Sequence, residues 1–282
     1  MSEITGAAMV AGIVGRPVTH SLSPVLHSAW IAAAGLNAAY VPLAPSENGF
    51  RALIEGLRGG VIRGVNVTLP FKVEALVVAD EIGERAGMAG AANLLLFRPD
   101  GTIYADNTDG LGMLAALTLQ APGFDPAAGP AVILGAGGAA RGAASALVLA
   151  GAPEVRIFNR TLDKAEALTR DLGGPVKTVA LADALADANL IVNATSQGMS
   201  GSGGPDIDLV TAPAAAVVMD MVYKPLRTAF LKRAALRGLR TVDGLEMLIQ
   251  QAVPSFEAFF GQAPPASVDV RTLALRTVGE IA

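Results

Sequence analysis

Short runs of β-branched and other apolar residues alternate along the chain with longer Ala/Leu-rich stretches whose apolar positions fall three or four apart. That alternation predicts βα units and a mostly parallel sheet, and no segment recurs at the period of about 20–50 residues that marks a repeat array. The first run, Val10 to Val14, stops at Gly15-Arg16-Pro17. A helix is expected to start near Ser23-Pro24, with Ser23 as its cap and Pro24 in its first turn. Tyr40 to Leu43 and Gly64 to Val67 read as further strands. Asn93 to Phe97 and Thr102 to Ala105 predict a hairpin around the turn signal Pro99-Asp100-Gly101. A helix from Gly110 to Gln120 follows, and the Pro/Gly/Ala stretch Ala121 to Pro130 reads as a seam between domains.

Beyond that stretch the alternation restarts, with Ala131 to Leu134, Val155 to Phe158, Leu190 to Val192 and Ala216 to Met219 as short buried strands separated by helical pattern. This is the cadence of a doubly wound nucleotide-binding domain. Leu245, Leu248, Ile249, Ala252, Phe256, Phe259 and Phe260 are spaced as one face of an amphipathic helix, and a last helix is expected from Asp269 to Ile281. Since the second domain already has its strands, these helices are expected to pack back on the first.

Composition narrows the functions. The chain is 52% hydrophobic and only 16% charged, with a mean hydropathy of +0.47. Its apolar stretches, such as Ala143 to Ala152, are nevertheless too short for a spanning helix, which needs about 20 apolar residues. Glu3 stands where a secretory signal would be basic, so a cytoplasmic protein without a membrane partner is expected. The absence of Cys excludes disulfides, thiolate zinc sites, iron–sulfur clusters and thiol nucleophiles. A net charge of −4 with scattered basic residues argues against a nucleic-acid partner.

Val132-Ile133-Leu134 runs into Gly135-Ala136-Gly137-Gly138-Ala139-Ala140-Arg141 and then an Ala/Leu-rich helix. This fits a dinucleotide fingerprint in its strand–turn–helix setting. Gly135 allows the tight turn, Gly137 admits the pyrophosphate to the backbone, and small Ala140 lets helix and strand pack closely. A Gly-rich turn of no such role is the plainer alternative. An NAD-preferring site would carry Asp or Glu about 20 residues further on. Here Asn159-Arg160-Thr161 stands there, with Lys164 one helical turn later, which favours a 2′-phosphate and hence NADP (NADPH) over NAD. Arg160 and Lys164 as plain loop cations remain the competing reading.

Three polar clusters in the first domain sit at predicted strand ends. His20-Ser21-Leu22-Ser23-Pro24 offers two hydroxyls at a helix mouth, suited to a carboxylate, although Ser23 alone reads as an ordinary cap. Asn66-Val67-Thr68-Leu69-Pro70-Phe71-Lys72 delivers a lysine beyond a strand, although a single lysine is most often solvated. Asp106-Asn107-Thr108-Asp109-Gly110 places Asp109 at a helix start, where a capping role is equally at home. Together they offer a carboxylate, an amine and several hydroxyls facing a nucleotide domain, without metal ligands or a nucleophilic triad. A Lys–Asp pair beside a nicotinamide suits hydride transfer between a secondary alcohol and a ketone, where a positioned base must take the alcohol proton. His20 and His27 give no metal site, and His27 reads as a partly packed helix residue.

These motifs, with Asn193-Ala194-Thr195-Ser196, Asp220-Met221-Val222-Tyr223 and Gly244 to Gln251, resemble the shikimate/quinate dehydrogenase family from Val10 to about Gly261. The resemblance implies an α/β substrate domain over residues 1–106, a Rossmann-type doubly wound NADP-binding domain over 107–243 and C-terminal helices over 244–282 returning to the substrate domain. It implies reversible reduction of 3-dehydroshikimate to shikimate in aromatic amino-acid biosynthesis, by a monomer or homodimer.

Under the resemblance, Lys72 is the general acid/base and Asp109 its partner on a substrate hydroxyl. Ser21, Ser23 and Tyr223 hold the substrate carboxylate, and Thr68, Asn93 and Gln251 bind ring hydroxyls. Gly135, Ala136, Gly137, Gly138 and Ala139 cradle the pyrophosphate, Asn159, Arg160, Thr161 and Lys164 the adenosine phosphate, and Met221 and Gly244 the nicotinamide end. Glu84 matches a position associated with the cofactor. Leu94, where the family often has Thr, and Gln197, where it is often apolar, depart from the pattern and leave room for quinate as the preferred substrate. A non-catalytic NADP-binding sensor is the more distant alternative, with no reason to keep Lys72 and Asp109 together. The Gly-rich segment Gly198 to Gly204 reads as a mobile rim or a plain surface loop.

Overall fold

A computed structural model describes residues 4–180, 184–199 and 203–281. The chain is α/β and divides into two units, Met1–Thr108 with Gln251–Ala282, and Asp109–Gln250. The predicted loop 198–204 is described only in part, since residues 200–202 lie outside the described ones.

The first unit is built on a six-stranded mixed sheet. Its strands are β1 (Met9–Val14), β2 (Ala38–Leu43), β3 (Ile62–Val67), β4 (Glu81–Ile82), β5 (Leu94–Phe97) and β6 (Ile103–Asp106), in the order β2-β1-β3-β5-β6-β4. β1 runs parallel to both β2 and β3. The β5–β6 pair is the predicted hairpin, antiparallel with Leu94 opposite Asp106. The helices are α1 (Ser23–Ala33), α2 (Phe50–Gly56), α3 (Lys72–Val77) and α4 (Glu84–Ala89). Phe50 and Ile54 of α2, Ala75 of α3 and Ala86 of α4 join Val14, Val65, Val67, Leu95 and Ile103 in one buried cluster.

An aromatic cluster completes this unit: His27 and Trp30 of α1, Tyr40 of β2, and Phe256 and Phe259 from the C-terminal part of the chain. A Cβ on Gly64 would lie 2.7 Å from the Phe259 ring and 2.4 Å from the Leu95 carbonyl oxygen, so glycine is what admits that ring against β3. His27 is fully buried rather than partly packed, because its ring stacks face to face on Tyr40 with centroids 4.0 Å apart.

The second unit holds α5 (Asp109–Gln120), β7 (Ala131–Leu134), α6 (Gly138–Leu149), β8 (Val155–Phe158), α7 (Leu162–Leu172), β9 (Val176–Thr178), β10 (Leu190–Asn193), β11 (Val217–Asp220), α8 (Ala229–Leu236) and β12 (Arg240–Val242). Its six strands are all parallel, in the order β12-β11-β10-β7-β8-β9. This is the doubly wound dinucleotide-binding order, with its switch point between β7 and β10. Both sheet faces are covered, which explains why the central β7 is an unbroken apolar run and β10 and β11 are apolar up to their last residue. Ala131 and Ile133 join one buried cluster with residues of α5, α6 and α7, while Val132 and Leu134 join another with Phe230, Leu231 and Ala234 of α8.

The stretch 121–130 lies inside this second unit and is no seam. It is held there by Arg240 Nη1, which donates to the Pro122 carbonyl (3.1 Å), and by Asn189 Nδ2, which donates to the Asp125 carbonyl (2.7 Å). The chain ends in α9 (Gly244–Phe260), within which the division between the units falls, and α10 (Val270–Val278), which packs on α1. α10 stops short of the expected Ile281 because Gly279 turns left-handed at φ 78° and caps it. Among the described residues, no helix is long and apolar enough to cross a membrane.

Candidate functional site

In the first unit the polar candidates gather at the carboxyl ends of β1 and β3, the crevice that open α/β sheets present to ligands. The backbone ties the two outgoing loops together. Thr68 N donates to the Val14 carbonyl (2.9 Å) and Arg16 N to that of Leu69 (3.0 Å). A Cβ on Gly15 would lie 2.3 Å from the Thr68 methyl, so any larger residue there would have to push Thr68 aside. The Arg16–Pro17 and Leu69–Pro70 peptide bonds of these loops are both cis. The loop after β1 carries Ser21 and Ser23, and the loop after β3 carries Thr68 and then Lys72 as the first residue of α3. Lys72 is half-buried, and its carbonyl accepts from Ala92 N at 2.8 Å, which brings the start of α3 beside Asn93.

Ser23 is not the helix cap. It is the first helical residue, after Leu22, and its N–H donates to Ser21 Oγ at 3.2 Å, so Ser21 takes over the satisfaction of this donor. Ser23 itself is buried. Its hydroxyl faces that of Tyr40, whose ionisation burial pushes far upward, with Ser23 opposing the shift.

Behind these residues lies a buried amide network. Asn93 Nδ2 donates to Thr108 Oγ1 (3.0 Å) and to Gln251 Oε1 (3.3 Å), while its Oδ1 accepts from Thr108 N (2.8 Å). Asn66, Tyr40 and Ser255 extend the network. The sequence named Asn93 and Gln251. It gave no role to Tyr40 or Ser255, because nothing local marks a tyrosine on a strand or a serine in a helix as part of a set assembled across the chain. Leu94, in the departing position, is buried on β5 opposite Asn66 and Asp106 and adds no polar group. Asp106 pairs with Arg85 beside the hairpin, and its Oδ1 accepts from Asn107 N at 2.7 Å. Glu84, alone among the cofactor candidates, belongs to this first unit, in the first turn of α4.

The second unit presents the glycine loop at its switch point. Gly135 has φ 115°, a conformation that favours glycine, and a Cβ there would come within 3.2 Å of the Ala194 carbonyl oxygen and 3.1 Å of the Thr195 methyl. Added Cβ atoms on Gly137 and Gly138 would meet open space. Their glycines therefore leave room above the N-terminus of α6, which has Gly137 as its cap residue and no side-chain cap bond. Its first N–H groups are thus turned toward an incoming anion, and the loop fits a dinucleotide pyrophosphate. At the end of β8, Asn159 Nδ2 donates to the Thr161 carbonyl (2.8 Å), and Arg160 and Lys164 stand exposed beside it.

Asp220, fully buried at the end of β11, organises the remaining loops. It accepts from Asn193 Nδ2 (2.8 Å), Val222 N (3.0 Å) and Thr228 Oγ1 (2.6 Å), and burial raises its pKa. Asn193 in turn accepts from Thr195 N and its hydroxyl, and donates to the Gln197 carbonyl; Gln197 itself is exposed. These bonds fix the segments on either side of Met221 and Tyr223, and burial pushes the Tyr223 hydroxyl up. Gly244 abuts Met221 so closely that a Cβ would lie 2.5 Å from the Met221 carbonyl oxygen. Gly244→Ala is therefore expected to displace Met221 and cost about 1–3 kcal/mol of stability, measured as a drop in Tm. Tm and cofactor affinity both unchanged would show that this approach is slack. Asp109, half-buried, opens α5 directly after Thr108. Among the described residues, no group of three or more His, Cys, Asp or Glu side chains is placed to hold a metal ion.

Three family models match this chain. The shikimate dehydrogenase substrate binding domain covers residues 13–95, shikimate / quinate 5-dehydrogenase covers 124–200, and the shikimate 5′-dehydrogenase C-terminal domain covers 244–273. A relative from Caulobacter vibrioides named shikimate dehydrogenase (NADP(+)) is 59% identical over 99% of both chains. Among solved structures, shikimate 5-dehydrogenase from Thermus thermophilus in complex with NADP(H) and shikimate is similar at a TM-score of 0.86 and 34% identity, over 96% of this chain and 99% of that one. Quinate dehydrogenase from Corynebacterium glutamicum in complex with NAD is similar at the same TM-score and 28% identity, again over 96% and 99%.

Proposed function

Since the chain belongs to the shikimate dehydrogenase family of NADP-dependent oxidoreductases, we propose that it interconverts shikimate and 3-dehydroshikimate, with Lys72 as general acid/base and Asp109 as its partner. The observation that carries this reading is the gathering of Ser21, Ser23, Thr68 and Lys72 on two loops bonded to each other, with Asn93 tied to Lys72 through the adjacent Ala92. A ligand with one carboxylate and several hydroxyls needs such an array, and a sensor that only held the nucleotide would not.

NADP(H), when bound, supplies or accepts the hydride at the substrate's C3. In reduction the Lys72 ammonium gives its proton to the carbonyl oxygen, and in oxidation the neutral amine takes it back. Asp109 accepts from a substrate hydroxyl and orients the amine. Ser21, Ser23 and Tyr223 hold the carboxylate, and Thr68, Asn93 and Gln251 bind the ring hydroxyls. Gly135 to Ala139 receive the pyrophosphate on backbone N–H groups. Asn159, Arg160, Thr161 and Lys164 receive the adenosine phosphate, and Met221 and Gly244 border the nicotinamide, with Glu84 as a further cofactor residue. The first unit is accordingly proposed as the substrate domain and the second as the cofactor domain.

The test is nicotinamide reduction with shikimate and with quinate, each with NADP+ and with NAD+. Turnover led by shikimate with NADP+ is expected. Preference for quinate would move the function to the sibling reaction, and no turnover despite NADP+ binding would leave a sensor. Arg160→Ala is expected to lower the preference for NADP+ over NAD+ by about 10- to 100-fold, since a guanidinium–phosphate bond is charge-assisted. A preference unchanged in that variant would remove Arg160 from the phosphate site.

A further inference from the structure

Asn66 is only 6% exposed, and both protons of its side-chain amide are spent on protein. Its Nδ2 donates to the Asn93 carbonyl oxygen (3.2 Å) and to Ser255 Oγ (2.8 Å), and its Oδ1 accepts from the Tyr40 hydroxyl (2.8 Å). The amide orientation is fixed, because a backbone carbonyl can only accept and so must face the NH2 end. Both amide protons are committed, which leaves Asn66 no donor for a ligand.

What those bonds reach is the pair read as binding ring hydroxyls. Through the Asn93 carbonyl, Asn66 sets the residue whose side chain meets Thr108 and Gln251. Through Ser255, whose hydroxyl donates to the Gln251 carbonyl at 3.3 Å, it braces the turn of α9 that carries Gln251. We propose that Asn66 is a positioning residue for substrate: a buried hub, with both amide protons committed, that holds Asn93 and Gln251, 158 residues apart, in register from behind. The inference rests on the proposed shikimate reading of this site, and its hydrogen-exchange test does not.

Asn66→Asp changes little in shape but puts an acceptor opposite the Asn93 carbonyl, which can only accept, and the Ser255 hydroxyl can meet it only by turning its proton away from the Gln251 carbonyl. The KM for shikimate is expected to rise about 10- to 100-fold, with kcat within about threefold and the KM for NADP+ within about twofold. As pH falls and the new carboxyl takes up a proton it regains a donor, so the KM of the variant should recover toward that of the unsubstituted enzyme. A purely structural loss would lower kcat through the folded fraction and leave KM and its pH dependence alone.

Amide hydrogen exchange gives a readout independent of turnover. The Thr108 N–H, which donates to Asn93 Oδ1, should exchange at least about tenfold faster in the variant. Should Asn66→Asp not fold, Ser255→Ala removes one arm of the hub and is expected to raise shikimate KM about threefold, with faster Thr108 exchange. Unchanged Thr108 exchange, or a fall in kcat at constant KM, overturns the proposal. Faster exchange in a protein whose unsubstituted form ignores shikimate would keep the hub and overturn the substrate reading instead.

Discussion

Lys72→Ala is expected to lower kcat by about 100- to 10,000-fold while the KM for shikimate moves far less, because the amine acts on the proton in flight rather than on ground-state binding. That loss is about 3–5 kcal/mol of barrier. The bond that Ala92 N donates to the Lys72 carbonyl is a backbone one, so alanine keeps it. The Asn93 amide, next to Ala92, should therefore stay in place. The measurement is the steady-state rate of NADP+ reduction at saturating shikimate, with Tm recorded to show that the variant is folded. A folded variant that keeps its kcat within a few-fold would deny Lys72 the proton, and attention would pass to the other polar groups at the ends of β1 and β3.

How far the chain could be read depended on where its information lies. The second unit was largely transparent, because its central strands β7, β10 and β11 are buried and apolar along nearly their whole length and β7 and β8 are each followed by a helix; the helix expected between β10 and β11 is absent from the described residues of 194–216, and the glycines of the fingerprint fall at the switch point of the sheet. The strands that escaped are the two-residue Glu81–Ile82 and the three-residue Val176–Thr178 and Arg240–Val242, all at sheet edges and mostly polar. A short edge strand needs only one partner and one covered face, and these three carry no apolar run, unlike the longer edge strand β2. The false seam at Ala121 to Pro130 has a similar cause: Pro and Gly report a break in regular structure, and whether the break is also a domain boundary depends on distant partners such as Arg240 and Asn189. The site divides in the same way. Ser21, Ser23, Thr68, Lys72, Asn93 and Asp109 sit in compact local motifs, and these are what a sequence displays. Tyr40 and Ser255 are joined to Asn66 across 26 and 189 residues, and a set so dispersed is defined only by the fold.

His27 shows what burial of a titratable group does to the same unit. Neither ring nitrogen has a hydrogen-bond partner, and the ring is enclosed by Tyr40, Trp30, Phe256 and Phe259, none of them a carboxylate able to stabilise an imidazolium. Burial accordingly lowers its pKa from 6.5 to about 3. The folded state thus resists a proton that the unfolded chain accepts. The stability tied to neutral His27 is complete above about pH 6.5 and is lost progressively as pH falls toward about 3, a total of roughly 4–5 kcal/mol. His27→Phe removes the titration while keeping a flat ring against Tyr40, and it breaks no hydrogen bond. Between about pH 6.5 and pH 4.5 the variant should lose about 2–3 kcal/mol less stability than the unsubstituted protein, followed by urea unfolding at each pH. Exposed pairs such as Glu81 with Arg98 and Asp187 with Arg156 also weaken in acid. They do so equally in both proteins and cancel from the difference. Parallel stability curves across that range would mean that the folded protein accommodates the imidazolium, through a partner or an opening of the aromatic cluster, and that the stacked ring on Tyr40 is not a dry enclosure.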